Sequence, residues 1–248
     1  MRIVIINPNT TQAMTETIAA CARKAASSST EIVAVQPLSG PVSIEGVYDG
    51  ALAVPGVIEE ILRAEASGSA DAYIIACFDD TGLDAARSLA AAPVIGIGEA
   101  AFHVASLVSS RFAVITTLSR SVPIIERNLT VTGLAARCAG VRASDIPVLA
   151  LEDPTSNARP RIAELIDTAI REQRADGIVL GCAGMSNMAA DLSAAHNLPV
   201  IEGVSAATRL AETLIGLRLT TSKFGLWAPP LPKSYGSMLT SAKNVWGY

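Results

Sequence analysis

Residues 71–82 read DAYIIACFDDTG, and residues 176–187 read DGIVLGCAGMSN. Each opens on an aspartate, continues as a short apolar run and ends on a cysteine followed by turn-forming residues. An apolar run of this length bounded by turn signals reads as a strand buried on both faces. Cys182 follows Cys77 by 105 residues, and Asp176 follows Asp71 by the same number. The correspondence extends outward from this pair. RIVIINPNT from Arg2 matches RFAVITTLS from Arg111, and PVIGIGEAA from Pro93 matches PVIEGVSAA from Pro199. EIVAVQP ending at Pro37 is matched with PVLALEDP ending at Pro154. The chain reads as one unit repeated twice.

Ile3–Ile6, Ile32–Val35, Tyr73–Ala76 and Val94–Ile97 are expected strands of the first unit. Phe112–Ile115, Val148–Leu151, Ile178–Gly181 and Val200–Ile201 are those of the second. Helical composition fills the stretches between them, with Pro123 and Pro160 near helix starts, where proline is tolerated. Alternating strands and helices give an α/β fold with parallel sheets. The expected architecture is two pseudo-symmetric three-layer domains, residues 1–98 plus 208–248 and residues 99–207. Ligands in such folds favour the crevice beyond the carboxyl ends of the strands, here between the domains.

The 248 residues suffice for sizeable cores, and half of them are hydrophobic. A net charge of −4 without a basic cluster gives no footprint for nucleic acid or an anionic membrane. No apolar run approaches the roughly 20 residues that span a bilayer. MRIVIINPNT enters a strand pattern without a signal-peptide design, so a cytoplasmic location is expected. The four cysteines are widely spaced and there are two histidines, which fits no zinc-ligand pattern. GIGEAA from Gly96 lacks the third glycine and the lysine of a phosphate loop.

Two thiols at matched positions can serve as base and acid on opposite faces of a small substrate. A racemase needs this pair, because one face of a stereocentre loses a proton and the other gains one. An ordinary thiol titrates at about 8.5, and a helix N-terminus after each cysteine is expected to bring it nearer neutrality. Phe78 and Ala183, next in sequence, offer backbone N–H groups to a developing enolate oxygen. Cys21, in a helix, and Cys138, in an irregular stretch, have no matched partners and are assigned to packing.

At these residues the sequence resembles the aspartate/glutamate racemase superfamily, and within it the hydantoin racemases. INPNT, GPVSIEGVYDGALAVPG, ACFDDTGL, ITTLSRSVP, IPVLALEDP and LGCAGM carry the resemblance over essentially the whole chain. It implies a two-domain pseudo-symmetric fold, no cofactor or metal, and proton transfer at C5 of a 5-monosubstituted hydantoin. Cys77 and Cys182 match the family's two cysteines, and a homo-oligomer is implied. The amino-acid racemases carry an acidic residue in the turn after the first strand, whereas Asn7-Pro8-Asn9-Thr10 is neutral here. An amide-like ring needs donors and acceptors, and asparagine offers both.

Asn9 is a candidate ligand donor or a turn former, Asn7 more a turn former. Thr116 and Thr117 hold the equivalent turn and either meet the substrate or bond their own backbone. Asp79 either orients the ring or caps a helix with Asp80. Gly181 and Gly184 flank Cys182 and allow close backbone approach. Ser43 and Ile44 are expected in the wall facing the C5 substituent. His103 is read as packing, and LWAPPLP near the C-terminus as a segment lying over the first domain or another subunit. Rival readings are an allantoin racemase of the same mechanism, a maleate isomerase or malonate decarboxylase of the same superfamily, and a non-catalytic two-domain binding protein.

Overall fold

A computed structural model describes residues 1–68, 70–153 and 155–233. The first unit runs β1 (Arg2–Ile6), α1 (Gln12–Ala25), β2 (Glu31–Val35), α2 (Val47–Ser67), β3 (Ala72–Ile75), α3 (Leu83–Leu89), β4 (Val94–Gly96) and α4 (Ile97–Val108). The second runs β5 (Phe112–Thr116), α5 (Val122–Val131), β6 (Cys138–Ala143), α6 (Ala158–Gln173), β7 (Gly177–Gly181), α7 (Ala189–His196), β8 (Val200–Glu202) and α8 (Gly203–Gly216). Two four-stranded sheets result, ordered β2-β1-β3-β4 and β6-β5-β7-β8, with every pairing parallel. The same order in both sheets is the repeat made visible.

The continuous apolar runs are strands because each sheet is covered on both faces. Ile3 and Ile5 of β1 face a core shared with α1, α4 and α8, while Val4 and Ile6 face α2 and α3. In the second sheet Phe112 and Val114 join that shared core, and Ala113 and Ile115 pack against α6. A helical layer thus lies between the two sheets. Phe102 on α4 sits at its centre, edge-on to Phe78 at 5.4 Å and stacked on Phe112 at 6.2 Å. The paired aspartates now have a structural role. Asp71 accepts a hydrogen bond from the Arg2 N–H at 2.7 Å, and Asp176 from those of Arg111 at 2.7 Å and Ser110 at 3.0 Å. Each locks the start of one central strand to its neighbour.

One expected strand is absent. Val148–Leu151 lies in a 3-10 turn (Val148–Glu152), and the fourth strand of the second sheet is β6 instead. Cys138, expected in an irregular stretch, opens that strand. β6 is an edge strand, half-buried along its length, so CAGVRA carries no continuous apolar signal. Val148 and Leu151 are three residues apart, which in a 3-10 turn puts both side chains on the buried side. The match between EIVAVQP and PVLALEDP is therefore one of composition, not of structure. The C-terminal segment lies over the first unit as expected: the Trp227 indole N–H donates to Asp84 at 2.9 Å and its ring stacks on Arg87. Residues 234–248 of the expected first-domain segment lie outside the described residues. No helix among the described residues is long and apolar enough to cross a membrane.

Candidate active site

The loops that leave β1, β3, β5 and β7 meet at the carboxyl ends of both sheets. They enclose a cavity of ≈ 420 Å³, part of it open to solvent. Cys77 and Cys182 both line it, and so do Asn9, Ile44, Phe78, Asp79, Thr116, Thr117, Gly181 and Ala183. Ser43 does not; its hydroxyl lies 3.4 Å from Glu45 Oε1. Met14, Ser121 and Val148 line the cavity without having been singled out in the sequence.

The first-strand turn is built by its asparagines. Asn7 is buried, and its amide donates to Asn9 Oδ1 at 3.0 Å and Thr15 Oγ1 at 2.9 Å. Asn9 Oδ1 also accepts the Thr11 N–H at 2.9 Å. Among the described residues its Nδ2 meets only the Met14 sulfur, a weak acceptor, at 3.1 Å. Asn9 Nδ2 therefore has no strong acceptor among the described residues, whereas Asn7 is committed to the turn. Across the cavity the Thr116 hydroxyl donates to the Gly181 carbonyl at 3.0 Å and is spent on backbone. A side chain at Gly181 would bring its Cβ within 2.9 Å of Thr116 Cβ, so glycine is needed for this approach.

Cys77 opens onto the cavity but lies deep in the protein. Burial pushes its thiol far above the ordinary range, and the Asp79 carboxylate adds to the rise. The Thr81 hydroxyl, 3.4 Å from Sγ, and the Asp79 backbone N–H work against that rise, while Cys182 adds a little to it. This corrects the expectation of a helix start beside each cysteine. α3 begins only at Leu83, so no helix N-terminus supports Cys77. Cys182 has one: it is the N-cap of the 3-10 turn Ala183–Met188, which runs into α7.

Asp79 is pushed up to about 6 by burial, opposed by a hydrogen bond from Ser121 and the charge of Arg127. Asn128 on α5 donates to the Asp79 carbonyl at 3.0 Å, tying the Cys77 loop to the second unit. Asp80 does not cap its own helix. With φ of 52° it reaches the N-terminus of α4, accepting the Gly98 N–H at 2.9 Å and the Glu99 N–H at 2.8 Å. This accounts for the glycines of GIGEAA: a Cβ at Gly96 would lie 2.1 Å from Asp80 Oδ1, and one at Gly98 2.3 Å from the Phe78 carbonyl.

A roof closes the cavity from both units. The Glu45 carboxylate accepts the Val148 N–H at 3.1 Å, bringing the loop that carries Ile44 against the 3-10 turn of the second unit. Cys21 is half-buried beside Glu202 and Ser205 at 3.5 Å, its thiol pushed up to about 11 chiefly by burial, outside the cavity. His103 is exposed on α4. Among the described residues no three His, Cys, Asp or Glu side chains gather to hold a metal ion.

A family model described as Asp/Glu/Hydantoin racemase matches residues 3–211. The chain belongs to this racemase family. A hydantoin racemase of Rhizobium meliloti is 48% identical over 234 residues, covering 94% of this chain and 97% of the relative. Among solved structures, an allantoin racemase from Klebsiella pneumoniae is similar at 46% identity and a TM-score of 0.94, covering 97% of this chain and 98% of that one. An allantoin racemase from Pseudomonas fluorescens follows at 41% identity and 0.90, covering 95% and 99%. The resemblance carried by the NPNT, SIEG and CFDD stretches is thus met, and the protein is an isomerase, a racemase of this family.

Proposed function

We propose that the protein racemises 5-monosubstituted hydantoins at C5 by two-thiol proton transfer without a cofactor. The observation that carries this is that two cysteines following equivalent strands of two like-ordered sheets line one cavity. One thiolate removes the C5 proton, the ring flattens to an enolate, and the opposite thiol returns a proton from the other face. The C5–H is flanked by a carbonyl and a ring nitrogen, which makes it more acidic than that of a free amino acid. The donors suited to the ring are Asn9 Nδ2 and Thr117, whose hydroxyl bonds no described residue. Ile44, Val148 and Met14 form the apolar wall for the C5 substituent. The same proposal includes self-association, supported by the exposed Val47, Tyr48 and Leu52 on α2, and a cytoplasmic location.

The test follows optical rotation and C5 deuterium uptake in D2O for wild type, Cys77→Ser and Cys182→Ser. Each variant should lose racemisation by about 10²–10⁴-fold. Each should retain exchange into one enantiomer only, because one base survives. Wild-type racemisation by either variant rules the mechanism out. Allantoin, a hydantoin with a ureido substituent, is the second reading, favoured by the two solved relatives that bear its name. Comparing its turnover with that of 5-benzyl- and 5-isopropylhydantoin separates the two.

A further inference from the structure

We propose that substrate reaches the thiols through a second cavity, the cleft between α2, α3 and α5. It enters past Asp79, the residue that lines both cavities. The proposal rests on the two-thiol reading above and adds the way in.

The wall of the thiol cavity is almost wholly buried. Every residue that lines it is buried except Cys77, Asp79 and Cys182. The roof is pinned on two sides. Glu45 accepts the Val148 N–H at 3.1 Å, across the two units. On the first-strand turn, the Thr10 N–H donates to the Pro41 carbonyl at 3.0 Å and the Thr11 hydroxyl to the Val42 carbonyl at 2.6 Å. Ala76, Thr116 and Gly181, at the strand ends, are buried as well. The two thiols face the cavity itself, which leaves Asp79. That residue also lines a larger cleft of ≈ 1310 Å³, open to solvent. A ring has to enter where the wall is open, and the opening is there.

The chemistry of the cleft suits an uncharged cyclic amide. Its apolar surface comes from both units, Val54 and Leu83 on one side and Ile124 and Val131 on α5. Its acids are already engaged. Asp80 accepts the Gly98 and Glu99 N–H groups, Asp84 accepts the Trp227 indole N–H, and Glu99 is paired with Arg87. A neutral ring crosses such a surface without parting an ion from its partner or stranding a charge of its own. At the inner end the second unit holds Asp79: Ser121 donates to its carboxylate and Asn128 to its carbonyl. The carboxylate can accept the ring N–H groups that a 5-monosubstituted hydantoin carries at N1 and N3. The ring meets this acceptor first, and the donors Asn9 and Thr117 once inside.

The experiment labels the full-length, substrate-free protein with N-ethylmaleimide, a five-membered cyclic imide close in size to a hydantoin. The smaller iodoacetamide is used in parallel, and rates at each cysteine are resolved by peptide mass spectrometry at one pH. Alkylation is irreversible, so its rate reports access and needs no racemase activity. Ala51→Trp and Val131→Trp fill the cleft from opposite walls, at exposed helix positions outside the thiol cavity. Each is expected to slow N-ethylmaleimide several-fold at Cys77 and Cys182, and iodoacetamide less. Cys21 and Cys138 lie outside both cavities and should keep their wild-type rates. Wild-type N-ethylmaleimide rates at Cys77 and Cys182 in both variants overturn the proposal; if Glu45→Ala speeds that labelling instead, the entrance is at the roof. Wild-type thiols that react with iodoacetamide but never with N-ethylmaleimide overturn it too, since a ring of that size has to enter. Faster labelling of Cys21 and Cys138 marks a variant that has lost its fold, and the variant of the opposite wall then decides. Failure of the two-thiol reading would appear separately, as racemisation surviving in Cys77→Ser or Cys182→Ser.

Discussion

Gly98 holds the loop that carries Cys77 by having no side chain. Its N–H is one of two that the Asp80 carboxylate accepts, and the Phe78 carbonyl passes so close that a Cβ would sit 2.3 Å away. Neither neighbour is the free end of a flexible chain: one is backbone, the other a carboxylate pinned by two N–H groups. Gly98→Ala is therefore expected to push the 77–82 loop off α4. The overpacking cost is about 1–3 kcal/mol, visible as a lower Tm. Racemase activity should fall further than stability explains, because Phe78 and Cys77 move with the loop. A variant with wild-type Tm and activity would show that the loop does not depend on this approach. Gly181, against Thr116, plays the corresponding part beside Cys182.

At the scale of elements, the cavity has two kinds of wall. The turns after β1, β3, β5 and β7 supply the thiols and the polar groups, and these were legible in the sequence. A strand followed at once by Cys or by Asn and Thr has a distinct pattern, and the repeat gave each a partner. The roof was half legible. Ile44 was read from its Gly/Pro-bounded loop, but Val148 was assigned to a strand, because an apolar run of four residues does not distinguish a buried strand from a buried turn. Its place became clear only from the Glu45 bond to its N–H, a contact between residues far apart in sequence. Thr81 and Ser121 were missed for the same reason: nothing local marks a hydroxyl that will meet Cys77 Sγ or Asp79. β6 escaped because an edge strand needs little apolar character. Val148→Ala tests the roof. Removing two methyl groups beside Ile44 is expected to lower KM for 5-benzylhydantoin several-fold relative to 5-isopropylhydantoin, with little change in kcat. An unchanged KM ratio would move the C5 substituent to another wall.

The whole molecule tolerates a buried acid where its units meet. Asp79 stands between the end of β3 and α5, with Ser121 and Arg127 facing it, and Asn128 fastens its backbone. Burial lifts its carboxyl to about 6, against the ordinary 3.8. A carboxyl whose folded pKa lies above its unfolded one favours folding only while it is protonated. That contribution is complete below about pH 4, disappears as pH rises to about 6, and is not regained above. Its size is on the order of 3 kcal/mol at most, since one pH unit corresponds to about 1.4 kcal/mol. Burial lifts Glu60 and Asp80 as well, so wild-type stability alone does not isolate the term. The comparison with Asp79→Asn does. Asparagine keeps the shape and the Ser121 contact but carries no charge at any pH. The variant should match wild type near pH 4 and exceed it in unfolding free energy by up to about 3 kcal/mol near pH 7, in urea titrations at both pH values. A difference that stays constant between those pH values would mean that Asp79 is not held above its ordinary range.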